Sequence, residues 1–168
     1  MQVHGALVRI RGVGVLLLGP SGVGKSETAL ELVARGHALV ADDVVELERA
    51  GESLIGRAPE RIRHYLEIRG LGILYIPELY GPQAVLPESP IELLCRLERD
   101  APGLEYERVG LERAREPLAG VSLPVVRLPV RPATSLGVIV EAAALDHLMR
   151  ARGPSAAERI DRGLAERS

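Results

Sequence analysis

Apolar residues fall in short, dense runs separated by glycines and charged pairs, a spacing that predicts several buried strands and few long amphipathic helices. Residues 13–18 (VGVLLL) form the cleanest run. Residues 3–10 alternate loosely, and Arg11-Gly12-Val13-Gly14 turns them back as a hairpin onto that strand, with His4 near its far end. From Glu27 the period changes: Ala29, Leu30, Leu32 and Val33 take helical spacing, and Arg35-Gly36 closes the helix. Residues 37–41 predict another buried strand, ending in Asp42-Asp43, and a polar stretch then leads to residues 52–56. Residues 59–65 fit one or two helical turns. Residues 70–76 join a tight glycine turn to an apolar run, and Pro77, Gly81 and Pro82 mark a loop. Residues 91–99 fit either period. Residues 123–130 and 136–141 are strand-like, residues 142–152 are helical, and a last helix starts at Ser155, whose spacing to Glu158 is that of a capping box. Together these predict an α/β fold, a mixed β-sheet with flanking helices that alternates less regularly than a doubly wound fold.

Between the second strand and the first helix lies Gly19-Pro20-Ser21-Gly22-Val23-Gly24-Lys25-Ser26, a complete G-x-x-x-x-G-K-[S/T] signature. In a strand–loop–helix setting, successive main-chain N–H groups and the positive helix end point at an anion. A glycine-rich turn capping an ordinary helix has no need of the lysine. Lys25 is the only lysine among 21 lysines and arginines, and a point charge on a thin stem reaches between two phosphates where a forked guanidinium is bulkier. The Ser26 hydroxyl is placed to hold Mg²⁺, and a carboxylate is needed near the transferred phosphate. Asp42-Asp43 supply one. Neighbouring strand residues face opposite ways, so only one of the pair faces the phosphates unless the strand bends. Strand parity leaves open which.

With 168 residues, 46% of them apolar, the expectation is one domain over 1–168, with C-terminal helices at about 142–167. A net charge of −2 gives no electrostatic case for nucleic acid or an anionic membrane, and no apolar stretch reaches bilayer length. Cys95 is alone, which rules out an intramolecular disulfide, and residues 1–4 lack a secretory pattern, so a cytoplasmic protein is expected. The histidines and Cys95 show no ligand spacing for a structural metal. Only a phosphate-bound Mg²⁺ is expected. Without Phe or Trp, base-stacking recognition of single strands is disfavoured.

Gly19 to Leu32, Val40-Ala41-Asp42-Asp43 and Leu66-Glu67-Ile68-Arg69-Gly70-Leu71-Gly72-Ile73 resemble the glycine loop, acidic strand end and signature segment of the HPr kinase/phosphorylase family. This is the bifunctional regulator of the bacterial sugar phosphotransferase system. The resemblance runs from His4 to about Arg150, the family's catalytic domain, and implies a phosphoenolpyruvate-carboxykinase-like P-loop fold. It implies that ATP with Mg²⁺ phosphorylates a serine of HPr, and that inorganic phosphate reverses the event with release of pyrophosphate. It makes Asp43 the acid–base group in both directions, Ser26 and Glu67 the Mg²⁺ ligands, and His4, Lys25 and Arg108 further active-site members, with Asp42 beside them. It also implies a homohexamer and an additional N-terminal domain that this chain is expected to lack. Pro129-Val130-Arg131-Pro132-Ala133-Thr134 begins like the family's dephosphorylation loop, but the usual Gly-Arg-Asn from position 133 is Ala-Thr-Ser. A slower reverse reaction is expected. The competing readings are a small-molecule kinase or carboxykinase-like enzyme on the same scaffold, and an ATP-sensing module without turnover.

Overall fold

A computed structural model describes residues 1–167, and in it the short apolar runs become strands stacked in layers. β1 (Gln2–His4) and β2 (Ala6–Ile10) are followed by β3 (Val13–Leu18), which feeds the glycine loop and α1 (Lys25–Ala34). β4 (Ala38–Ala41), β5 (Val44–Ala50) and β6 (Ser53–Arg57) precede a 3-10 turn at Glu60–Ile62 and the hairpin of β7 (Tyr65–Ile68) and β8 (Gly72–Tyr75). α2 (Ile76–Tyr80), β9 (Glu88–Pro90), β10 (Leu93–Arg99), β11 (Ala114–Leu118) and β12 (Val121–Val130) lead to α3 (Leu136–Arg152) and α4 (Ala156–Arg167).

A six-stranded sheet has the order β11-β12-β10-β3-β2-β4. β3, β10 and β12 are parallel, β2 is antiparallel to β3 and β4, and β11 is antiparallel to β12. The three parallel strands end on one edge, which therefore gathers the segments that follow them, where ligands of open α/β sheets bind. Period-two alternation along β3 sends Val13, Val15 and Leu17 into a core with Ala29, Leu32 and Val33 of α1 and Val140 and Ala144 of α3. Leu16 and Leu18 enter a second core with Val45, Leu47 and Leu54 of the four-stranded sheet β1-β5-β6-β9. Burial on both faces explains why residues 13–18 are continuously apolar.

The mixed sheet is as expected, and several local assignments change. Residues 136–141, read as strand-like, are the first turns of α3, because a six-residue apolar run does not by itself separate a strand from a buried helix segment. The C-terminal helices therefore begin at Leu136 and not near 142. Of residues 91–99, 93–99 form β10, sandwiched between β3 and β12. Pro77 opens α2 where a loop was expected, since the first helical turn has no use for the missing N–H. His4 is not on the hairpin strand: it belongs to β1, which pairs with β5 in the other sheet. The capping box forms as read, with the Glu158 N–H donating to Ser155 Oγ at 3.1 Å and the Ser155 N–H to Glu158 Oε1 at 3.3 Å.

Candidate active site

The glycine loop leaves β3 at Gly19, where a Cβ would stand 2.5 Å from the Leu97 carbonyl oxygen, so β10 can pass this close only against glycine. The Val23 N–H donates to the Pro20 carbonyl at 3.2 Å and Arg99 Nη2 to the Ser21 carbonyl at 2.9 Å, fixing the loop's shape. Lys25 curls back over it, its Nζ donating to the Gly19 carbonyl at 2.5 Å and the Pro20 carbonyl at 3.2 Å. Phosphate oxygens are stronger acceptors than these carbonyls, and the same reach serves them.

β4 stops at Ala41, and the chain bends before β5. The Val44 N–H donates to the Asp42 carbonyl at 2.9 Å while Asp43 holds φ 69°, the rare positive-φ form of a γ-turn. Strain of this kind, about 1–3 kcal/mol, persists where surrounding structure holds it; here the Gly5 N–H donates to the Asp43 carbonyl at 3.1 Å. The turn sends the two carboxylates in different directions. Asp42 is 6% exposed, and Ser26 Oγ donates to its oxygens at 2.8 and 3.0 Å. Asp43 points outward, its side chain 78% exposed, with Oδ1 4.0 Å from Nδ1 of the equally open His4. Burial pushes the Asp42 carboxyl above the usual range, opposed by the Ser26 hydroxyl and by the N–H groups of Glu67 and Asp43.

Glu67 lies exposed on β7, and its main-chain N–H reaches the Asp42 carboxylate to which Ser26 donates. A hydroxyl and carboxylates are the hard oxygen donors Mg²⁺ takes, usually one or two protein groups beside substrate phosphates and water. Among the described residues no cluster of three or more His, Cys, Asp or Glu forms an all-protein cage. The donor set fits an ion shared with a nucleotide.

Pro129 and Val130 end β12, on the same edge as the glycine loop. Val130, Leu128 and Leu136 pack with Val23 of that loop and with Leu97. Arg131 Nε donates to Asp100 Oδ2 at 2.6 Å. Past Pro132, Ala133 holds φ 62°, a conformation that favours glycine, and the Thr134 N–H donates to the Arg131 carbonyl at 3.3 Å. Arg108 lies apart, lining a cleft of about 750 Å³ between residues 105–114, β12 and α3. Among the described residues no hydrogen bond ties it to the glycine loop.

Two contributors escape sequence reasoning. Arg99 was one arginine of many, and Glu31 reads as the polar face of α1. Ser135 Oγ donates to Glu31 Oε1, and the Gly137 N–H donates to Glu31 Oε2 at 3.1 Å. Only the closeness of Ser26 to the next strand's acids could have hinted that α1 is bound on several sides.

A family model described as HPr serine kinase C-terminal domain matches residues 1–164. A protein of Geobacillus thermodenitrificans named HPr kinase/phosphorylase is 52% identical over 165 residues, covering 98% of this chain and 53% of its own length. One of the same name from Caldanaerobacter subterraneus subsp. tengcongensis is 48% identical, with 98% and 54% covered. The chain thus spans about half the length of the curated relatives it matches. Among solved structures, the HPr(Ser) kinase/phosphatase of Coxiella burnetii superposes with a TM-score of 0.83 at 29% identity, covering 91% of this chain and 99% of that one. No helix among the described residues is long and apolar enough to cross a membrane.

Proposed function

Because the chain belongs to the HPr serine kinase C-terminal domain family, we propose that it transfers the γ-phosphoryl group of ATP to a serine of the phosphocarrier protein HPr. The same site runs in reverse with inorganic phosphate. The observation that carries this reading is the division of labour in the acid pair: Asp42 is buried on Ser26, while Asp43 stands open beside His4.

In the forward direction the loop N–H groups and Lys25 hold the β- and γ-phosphates, and the serine hydroxyl approaches from the open side. As serine Oγ bonds to the γ-phosphorus and the bond to ADP breaks, the hydroxyl proton passes to a carboxylate oxygen of Asp43. In reverse, an oxygen of inorganic phosphate bonds to the phosphoserine phosphorus, the serine oxygen leaves, and Asp43 returns the proton; the product is pyrophosphate. Mg²⁺, when bound, neutralises developing charge on the phosphates. Ser26 and Glu67 would hold it, and Asp42 fixes the Ser26 hydroxyl. His4 is near enough to orient Asp43. For Arg108 to fork phosphate oxygens, the 105–114 segment must swing it out of its cleft toward the glycine loop. The protein acts as a homohexamer in this reading, and Ala133 in a glycine-favouring conformation slows the reverse direction.

The test is HPr incubated with Mg-ATP and, once phosphorylated, with inorganic phosphate. A phosphoserine on HPr, then slower pyrophosphate release, is expected. Phosphate transfer to a metabolite with HPr inert would select the small-molecule kinase, and binding without product an ATP-sensing module.

A further inference from the structure

We propose that Glu31 is a positioning residue that couples occupancy of the glycine loop to the placement of residues 131–135. The inference deepens the proposed function, on which the catalytic meaning of that segment rests.

α1 begins with Lys25 and Ser26, the two side chains expected to grip phosphate and metal. Glu31 lies about 8 Å further along the same rod, at 1.5 Å per residue. Its carboxylate accepts from Ser135 Oγ and, at 3.1 Å, from the Gly137 N–H. The first N–H groups of a helix have no partner inside it, and Ser135 at the N-cap makes no side-chain cap bond to α3. Glu31 therefore caps α3 from another helix, with its negative charge at the favourable end of the α3 dipole. A Cβ at 137 would stand 2.5 Å from Glu31 Cδ, so a side chain there would displace the carboxylate from its place on α3.

A second tie runs through apolar contact. Val23, inside the glycine loop, packs with Leu128, Val130 and Leu136, which flank residues 131–135 on both sides. The segment is thus a short bridge whose two ends are fastened to the glycine loop and its helix. Phosphate drawing Lys25 and the loop into one arrangement also fixes Val23 and the start of α1, and so narrows the positions the bridge can take. Loss of the Glu31 contact frees one end.

The experiment follows hydrogen exchange of amides 131–137 with and without saturating Mg-ATP in wild type, Ser135→Ala and Glu31→Ala. Calorimetry confirms that each binds the nucleotide. Wild type is expected to show slower exchange across the segment when loaded, by about tenfold (roughly 1.4 kcal/mol), and both variants to lose that response. In the phosphorolysis assay the variants should raise KM for inorganic phosphate about tenfold, leaving the forward kcat/KM for ATP within about threefold. Ser135→Ala removes only the loop-side contact and keeps the α3 cap, so a folding defect in Glu31→Ala does not remove the test. Unchanged nucleotide-induced protection, or an unchanged phosphate KM, in both variants overturns the coupling. Wild type that binds no Mg-ATP would instead overturn the nucleotide reading and this inference with it.

Discussion

Asp42 and Asp43 are neighbours in sequence with opposite environments, and the difference gives each its own signature under mutation. Burial holds the Asp42 carboxyl above its ordinary range. A carboxyl raised on folding stabilises the native state below its unfolded value and loses that contribution as pH rises through the folded one. At pH 7 the buried charge therefore weighs against folding. Asp42→Asn keeps the shape and removes the charge, so urea melts at pH 7 should show stability equal to or above wild type, the gap closing toward acid pH, while turnover falls roughly a hundredfold. A variant destabilised by more than about 1 kcal/mol at pH 7 would show that the charge is part of what holds the site together. Burial pushes the Cys95 thiol up to about 12, which disfavours the nucleophilic thiolate. The position of the acid pair at the end of a buried strand was legible from the apolar run that precedes it. Its orientation was not, because the γ-turn at Asp43 is held by Gly5, far away in sequence.

At the scale of elements, α1 is fastened at its far end as well as its near one. Arg35 Nε and Nη2 donate to Glu141 of α3 at 3.0 and 2.8 Å, and His37 Nε2 lies 2.6 Å from the same carboxylate. The Arg35 bond, then that of His37, holds the Glu141 carboxyl down to about 2 from 4.5. A carboxyl lowered on folding stabilises the native state above its unfolded value, and this is lost as pH falls through the folded one. Glu141→Gln should therefore be less stable than wild type at pH 7, with the difference shrinking only between about 4.5 and 2; denaturant melts across that range measure it. A difference gone by pH 5 would mean that the staple contributes nothing through its charge. From sequence, α1 was legible because its apolar spacing and the glycine loop agree. The start of α3 was not, since the apolar run at residues 136–141 fits either period and Ser135, at the N-cap, turns its hydroxyl to Glu31 instead of to α3; the cap comes from Glu31 on another helix.

On the scale of the whole molecule, the parallel strands β3, β10 and β12 deliver the glycine loop, Arg99 and residues 131–135 to one sheet edge. The β4–β5 bend sets Asp42 on Ser26 of α1 and leaves Asp43 open beside His4. The contiguous motif could be read directly, because strand, loop and helix follow one another in the chain. Glu67 and the 129–134 segment could be assigned only through resemblance, since their approach depends on strand order, which local periodicity does not encode. Arg108 was assigned the same way and lies in a separate cleft. In the proposed reaction Asp43 takes the acceptor's proton above a triphosphate held by Lys25. The most direct measurement is transfer of label from the γ-position of ATP to a serine of HPr by wild type and Asp43→Asn, with Mg-ATP affinity checked in both. The variant should label HPr roughly 10²–10⁴-fold more slowly at similar affinity. Labelling by Asp43→Asn at the wild-type rate would mean that another group takes the proton.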